Sequence, residues 1–541
     1  MKKKIFLLVF YLPLIMNGQT PSIQLSKCLG SPQGNDIGTS ILQTNDGGYV
    51  VACTTGYYSP QSIPPVNGEN GDITGENGNG FRIFRLGATG NIVWQTYVNG
   101  THNGSPATSV LTSMVATNDG SYIVMGTSDA NGWGLGSYWS AIALAKISSN
   151  GNIIWKKMCT VEYNGCELNA SSIKNTSDGG YIITGRASHG TVDNGQYFLI
   201  KLDSNGNNVW FNNNLGSYQY DTASDVIQCP DGGYLISGFN VHPEYGGYLN
   251  YVFTPKGGQD IWVVKVDSLG NYIWSKNYGG SGTEWPGKLL KTLDGGYLIT
   301  GTTDSNNLDV SNNHGGMDIW IVKINSIGDI LWQKTYGGTN DDSISDIFQS
   351  NDGNYVFSSS TKSNNGDVLF NHGNNKSDSW LVKIDQTGMI IWQKTIGGTG
   401  TDDPNSIIQT IDGGYALTGS TNSTDGDIIG YHSLYQTPLD IYIIKLSQDN
   451  LSNNIFSNQD KISIYPNPAN DHITIDCGTL ANVSGWNLKI TNILGQEVFN
   501  QPMNTQQYVV PLNTWTGQGI YFVKIYDAQG TLVNTKKILL Q

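Results

Sequence analysis

Apolar residues in this chain fall in short runs that alternate with polar ones and are broken by Gly, Asn and Asp. That is the two-residue period of half-buried strands, not the 3.6-residue period of helices. The stretch around Asp294 shows the unit. An apolar strand ends near Lys291-Thr292, Asp294-Gly295-Gly296 makes a tight turn, and Tyr297-Leu-Ile-Thr-Gly301 returns. Asp-Gly supplies the positive φ values of a short hairpin turn. After a long polar loop, Asp318-Ile-Trp-Ile-Val-Lys323 alternates in strand fashion, and a turn containing Gly328 leads to Ile330-Leu-Trp332-Gln-Lys334 and Gly337-Gly338. Four short antiparallel strands with Gly turns predict one propeller blade.

The phrase Asp-Gly-[Gly/Ser/Asn]-Tyr begins at Asp46, Asp119, Asp178, Asp231, Asp294, Asp352 and Asp412, with spacings of 73, 59, 53, 63, 58 and 60 residues. Periods of this size mark a repeat architecture. Third strands end in a basic residue at seven places, Arg85, Lys146, Lys201, Lys265, Lys323, Lys383 and Lys445, but fourth strands carrying Trp number six, at Trp94, Trp155, Trp210, Trp274, Trp332 and Trp392. The stretch Ile23-Gln-Leu-Ser-Lys27-Cys-Leu-Gly30 resembles a fourth strand without its Trp and precedes the first repeat. An N-terminal strand that completes the last blade closes the ring and leaves no exposed sheet edge. The expectation is an all-β chain: a seven-bladed propeller over residues 19–450, with a smaller β domain after it. Basic residues and Trp that recur in every blade are read as packing, since one active site does not need seven copies.

Charged residues are only 13 % of the chain, Gly numbers 68 and the net charge is −14. This favours a loop-rich extracellular β protein and excludes nucleic-acid binding, which relies on clustered Lys and Arg. Residues 1–18 read as a signal peptide: Lys2 to Lys4 are followed by an apolar core over residues 5–16, and Asn17-Gly18 precedes Gln19. The core is too short to span a bilayer, and no later stretch serves as a transmembrane segment. Cys28 lies too far beyond the core to read as a lipidation site. Export permits disulfides, and Cys159 with Cys166 is the one close pair. No Cys or His spacing fits zinc.

The repeat grammar stops after Lys445, residues 451–460 read as a polar linker, and residues 461–541 carry alternating runs separated by Gly, Asn and Pro, which fit a small Ig-like β-sandwich. Within it stand Tyr465-Pro466-Asn467-Pro468-Ala469, Gly495 followed by Val498, and the closing Gly519-Ile-Tyr-Phe-Val-Lys. These motifs, in this order, resemble the type A C-terminal sorting domain of the type IX secretion system. The resemblance implies a secreted or cell-surface protein. It implies passage through the periplasm, recognition by the type IX machinery, and either anchoring to surface lipopolysaccharide or release. The repeats resemble propeller-like repeats of uncharacterised function in such cargo.

Strand direction places the Asp-Gly turns on one face of a propeller and the long second-to-third-strand loops, with the Gly-Gly connections, on the other. Loops on a rigid scaffold carry function, so the long-loop face is where binding is expected. Ten residues before the repeat Asp stands an acid in five copies, Asp36, Asp221, Glu284, Asp342 and Asp402. Each precedes an innermost strand. The five carboxylates either converge on the channel mouth, where they would recruit a cation such as calcium, or cap their own Gly-Gly turns. A second register, in the last three repeats only, sets Asp309 with His314, Asp367 with His372, and Asp427 with His432. These are candidates for a metal, again calcium, or for a hydrogen bond that folds each loop. Trp133, Trp139, Trp285 and Tyr218 are the aromatic candidates for a glycan.

The chain has no Gly-x-Ser-x-Gly elbow, His-Glu-x-x-His, phosphate loop or dinucleotide fingerprint. The leading expectation is a binding or adhesion module for glycan or protein, with catalysis not favoured. The alternatives are a calcium-dependent hydrolase or lyase using the acidic ring, and a structural surface component without a small ligand.

Overall fold

The computed structural model describes residues 20–30, 34–56, 80–98, 101–102, 105–106, 109–129, 140–159, 166–189, 195–216, 221–240, 256–373, 375–432, 438–449, 462–466, 468–477, 483–492, 496–512, 519–528 and 532–540. They form two compact units, Pro21–Gln448 and Asp449–Gln541.

The first unit is a ring of seven four-stranded antiparallel sheets. The fifth blade is typical, with strands Glu284–Lys291, Tyr297–Thr303, Asp318–Ile324 and Ile330–Tyr336. Its two middle strands are buried from end to end, which accounts for their continuous apolar runs, while its fourth strand runs from exposed at Ile330 to buried at Tyr336. The first strands carry a bulge, as between Pro286 and Leu289, and pack against one another around the axis.

The seventh blade takes Asp402–Gln409, Thr421 back to Tyr415, and Asp440–Leu446 from the end of the repeats, and Ile23–Leu29 from the start of the chain. Ile23–Leu29 runs antiparallel to Asp440–Leu446, with Cys28 opposite Tyr442 and Leu29 opposite Ile441. Leu29 is fully buried among Ile41, Tyr49, Phe84 and Ile443, so the closing strand joins the core between the seventh and first blades. Five of the six fourth-strand Trp rings, all but Trp392, cover the Gly of the next blade's third-to-fourth turn. A Cβ on Gly328 would fall 3.0 Å from Trp274. At the closure Leu25 covers Gly90 instead, so the closing strand needs no Trp.

The second unit has a three-stranded and a four-stranded sheet enclosing Ile473, Ile475, Leu488, Ile490, Val510, Val523, Ile525 and Ile538. Among the described residues no helix is long and apolar enough to cross a membrane. The signal-peptide residues lie outside the described set. So does the side chain of Cys166, and with it the pairing of Cys159 and Cys166 that export permits.

Candidate functional site

The seven repeat Asp residues and the seven third-strand bases prove to be partners. Each Asp accepts the backbone N–H two residues on, closing its turn, as Asp294 does from Gly296 at 3.2 Å. Each also pairs with its own blade's base: Asp46 with Arg85, then Asp119, Asp178, Asp231, Asp294, Asp352 and Asp412 with Lys146, Lys201, Lys265, Lys323, Lys383 and Lys445. Burial works against the charge on Asp294, but bonds from Lys323 and Thr292 outweigh it and hold the carboxyl at about 2; Asp178 is held at about 2 in the same way by Thr176 and Lys201. These pairs fasten the turn face.

On the opposite face, the acids Asp36, Asp221, Glu284, Asp342 and Asp402 all begin first strands and have no exposed surface. Asp342 accepts from Gly338 N–H at 2.8 Å, from Ser363 Oγ at 2.8 Å and from Thr361 Oγ1. Glu284 accepts from Gly280 N–H and Thr303 Oγ1. Glu284, Asp342 and Asp402 cap the Gly-Gly turns of their blade connections, and all five acids are buried and do not form an open acidic mouth. Beside them lie the acids that begin third strands, Asp260, Asp318, Asp378 and Asp440, each with one carboxylate oxygen that has no hydrogen-bond donor among the described residues. A Cβ on Gly337 would meet Asp318 Oδ1 at 2.5 Å and Asp342 Oδ2 at 2.6 Å, so only Gly fits between the two. Burial raises Asp318 and Asp378 to about 6, against the pull of His314 and His372.

The histidine register does not pair Asp309 with His314. His314 Nδ1 lies 2.7 Å from Asp318 in its own blade, and Nε2 lies 3.8 Å from Asp367 in the next. His372 bridges Asp378 and Asp427 in the same way, at 2.6 and 3.7 Å, and His432 bonds Asp440. In the fourth blade Lys256 takes this place, its N–H on Asp260 and its ammonium on Asp309. The register is therefore a clasp at three blade boundaries, made by Lys256 from the fourth to the fifth, His314 from the fifth to the sixth and His372 from the sixth to the seventh. Among the described residues no three His, Cys, Asp or Glu side chains gather as metal ligands.

One cluster escaped the sequence reading. Four residues after the ring position come Ser40, Ser113, Ser172, Asp225, Lys288, Asp346 and Ser406, charged only in three consecutive blades. Asp225 accepts Ser172 Oγ at 2.5 Å, Leu289 N–H at 3.0 Å and Lys174 Nζ at 3.4 Å, and Asp346 accepts Ile407 N–H at 3.1 Å. Burial pushes both acids up. Lys174 and Lys288 overcome it at Asp225, which is lowered, but not at Asp346, which stays raised. Two acids and two lysines thus staple neighbouring innermost strands.

Binding space lies between blades. A cleft of about 300 Å³ opens between the sixth and seventh, lined by Leu369, Phe370, His372, Gln393, Lys394, Thr395 and Asp427. Leu369 and Phe370 are exposed, and Phe370 stands edge-on to His372 at 4.7 Å. Its counterpart between the fourth and fifth blades is lined by polar groups, among them Lys256, Lys276, Asn277, Asp309 and Asp329. Of the expected aromatics, Trp133, Trp139 and Tyr218 lie outside the described residues. Trp285 is half exposed, edge-on to Phe239 at 5.5 Å. In the C-terminal unit Tyr465, Pro466, Pro468 and Gly519 are described, whereas Asn467 and Gly495 are not.

Residues 463–541 match the family model described as the secretion system C-terminal sorting domain. The chain is type IX secretion cargo. That domain directs the cargo to the cell surface or the medium. No curated protein matches the cargo sequence. Among solved structures it is similar to virginiamycin B lyase from Staphylococcus aureus (10 % identity, 78 % of this chain and 99 % of that one, TM-score 0.41). It is similar to a polysaccharide lyase of the PL25 ulvan lyase family (10 %, 75 % and 97 %, 0.44). It is also similar to PorZ of Porphyromonas gingivalis, a surface component of the type IX system (12 %, 93 % and 81 %, 0.25).

Proposed function

We propose that the exported propeller is a surface glycan-binding module and that the cleft between its sixth and seventh blades is the binding site. The observation that carries this is the exposed Leu369-Phe370 pair set against hydrogen-bonding side chains in a single cleft. Sugars present apolar C–H faces and polar edges, and an aromatic ring beside amide, hydroxyl and charged groups matches both. Gln393 is already oriented, its amide donating to Asp367 O at 2.7 Å and its carbonyl oxygen held by Trp380 Nε1 at 2.9 Å. The acids expected to do chemistry are buried, and Glu284, Asp342 and Asp402 are held by the turns they cap, which supports binding over hydrolysis.

A glycan array probed with the mature protein tests the reading. Binding by the wild type that is lost in Phe370→Ala, with unchanged thermal unfolding, is the expected result. An array on which the two proteins behave alike would move the site elsewhere.

A further inference from the structure

The last three blades are close copies, and two departures from the copy fall in the same cleft. The loops read Asp309-Val-Ser-Asn-Asn-His314, Asp367-Val-Leu-Phe-Asn-His372 and Asp427-Ile-Ile-Gly-Tyr-His432. Leu369-Phe370 thus replaces Ser311-Asn312, which in the fifth blade serve its own fourth strand through Gln333 and Thr335. The seventh-blade counterpart, Ile429, is taken up by the closing strand, bonded to Ser26 and Cys28.

The second departure is electrostatic. Fourth-strand side chains reach the third-to-fourth turn of the next blade. Lys157 reaches Asn205 and Asn207, Lys276 reaches Asp329 at 2.7 Å, and Lys334 reaches Met389. Lys394 has the same place in the sixth blade, but the seventh blade has no such turn, because its third and fourth strands come from opposite ends of the propeller. Lys394 therefore makes no ion pair and no hydrogen bond among the described residues, while the third-strand bases are all paired. The one acid in the cleft, Asp427, faces His372 at 3.7 Å.

We propose that this cleft selects acidic glycans, with Lys394 receiving a uronate carboxylate or sulfate while Phe370 covers the apolar face of the same sugar. This rests on the glycan reading above and adds the charge of the ligand. An ammonium without an internal partner among the described residues, in a half-enclosed cleft of a protein of net charge −14, offers an anionic chain a charge-assisted bond. Long-range repulsion from the rest of the surface is screened at physiological salt.

The test uses an oligogalacturonide and its carboxyl-reduced, neutral counterpart, titrated against the full mature chain by calorimetry. Wild type should prefer the acidic oligomer by about tenfold or more. Lys394→Met, which keeps the apolar stem, should bring the preference within about twofold, and Phe370→Ala should weaken both ligands. Equal binding of the two oligomers by wild type overturns the acidic preference but leaves the glycan site standing. A preference that survives in Lys394→Met overturns the role of Lys394. Binding of neither oligomer, nor of a sulfated one, overturns the proposal and the glycan reading together. Circular dichroism melts of each variant establish that losses are not unfolding.

Discussion

Replacing Asp402 separates a structural role for the connection carboxylates from a cation-binding one. Asp402 has no exposed surface and accepts from Gly398 N–H at 2.8 Å, Ser423 Oγ at 2.6 Å and Thr421 Oγ1 at 2.5 Å. In Asp402→Ala the two hydroxyls can turn to other acceptors, but the Gly398 N–H is fixed by the backbone and stays buried and unpaired. That N–H costs about 1–3 kcal/mol, and each hydroxyl bond to a charged acceptor adds about 1.5 kcal/mol before any rearrangement. Against this, the variant no longer has to bury the carboxylate, whose pKa burial raises. The expected net loss is about 3 kcal/mol. Asp402→Asn keeps an acceptor oxygen and should lose about 1 kcal/mol. Urea unfolding followed by Trp fluorescence, with millimolar calcium or with chelator, measures both. The two losses should be the same in either buffer. A wild type stabilised by calcium, by about 2.7 kcal/mol at a hundredfold excess over its dissociation constant, and an Asn variant that loses that gain, would make the carboxylate a ligand and refute the cap.

Three further outcomes follow from the same structure. Leu29→Ala in the closing strand should destabilise the ring by about 2–5 kcal/mol, read as a shift in denaturant midpoint, since Leu29 is fully buried between two blades. A chain lacking residues 463–541 should fold but accumulate in the periplasm, and fractionation that finds it in the medium would overturn the sorting role. Stability should peak between about pH 4 and pH 6 in denaturation series. Asp318 and Asp378, raised to about 6, bind a proton more tightly folded than unfolded, so stability grows as pH falls from 7 through 6. Asp178 and Asp294, held at about 2, contribute stability that is full above the unfolded value near 3.8 and lost as pH falls toward 2.

The ring was legible because its grammar is local. Asp-Gly turns, strand alternation and the missing seventh Trp are all written within a few residues, and together they required Ile23–Leu29 to close the last blade. The sites were less legible because their partners lie one blade apart. Asp309 and His314 stand five residues apart in the chain and suggest a pair, yet Asp309 pairs with Lys256 across a blade boundary and His314 bonds Asp318, with Asp367 of the next blade facing its other nitrogen at 3.8 Å. Lys174, Asp225, Lys288 and Asp346 meet only because first strands pack around an axis. A signal for them was present: the fourth residue after each ring position is Ser in four blades and charged in three. Likewise Leu369-Phe370 stood out against Ser311-Asn312, but only an alignment of the repeats to one another shows it.

A ring of near-identical blades has a general difficulty in making one site rather than seven. Any contact written into the repeat is satisfied in every copy, as the seven Asp-to-base pairs show. A distinct site needs a place where the repeat fails, and closure supplies one. Joining the chain's start to its end removes a single third-to-fourth turn, and the side chain that would have docked on it, Lys394, is left facing solvent in the cleft. A substitution two strands away, Leu369-Phe370 for Ser-Asn, then suffices to give that cleft an apolar wall. On the proposed reading the closing strand, required first to hide a sheet edge, also leaves the cation of this one cleft unpaired among the described residues. It follows that restoring the turn by circular permutation, with a short Asp-containing link between Leu446 and Ile23 and new ends in the first blade, should pair Lys394 and reduce acidic-glycan binding toward that of Lys394→Met, while the fold is kept. A permutant that binds as the wild type does would show that the free cation is not a consequence of closure.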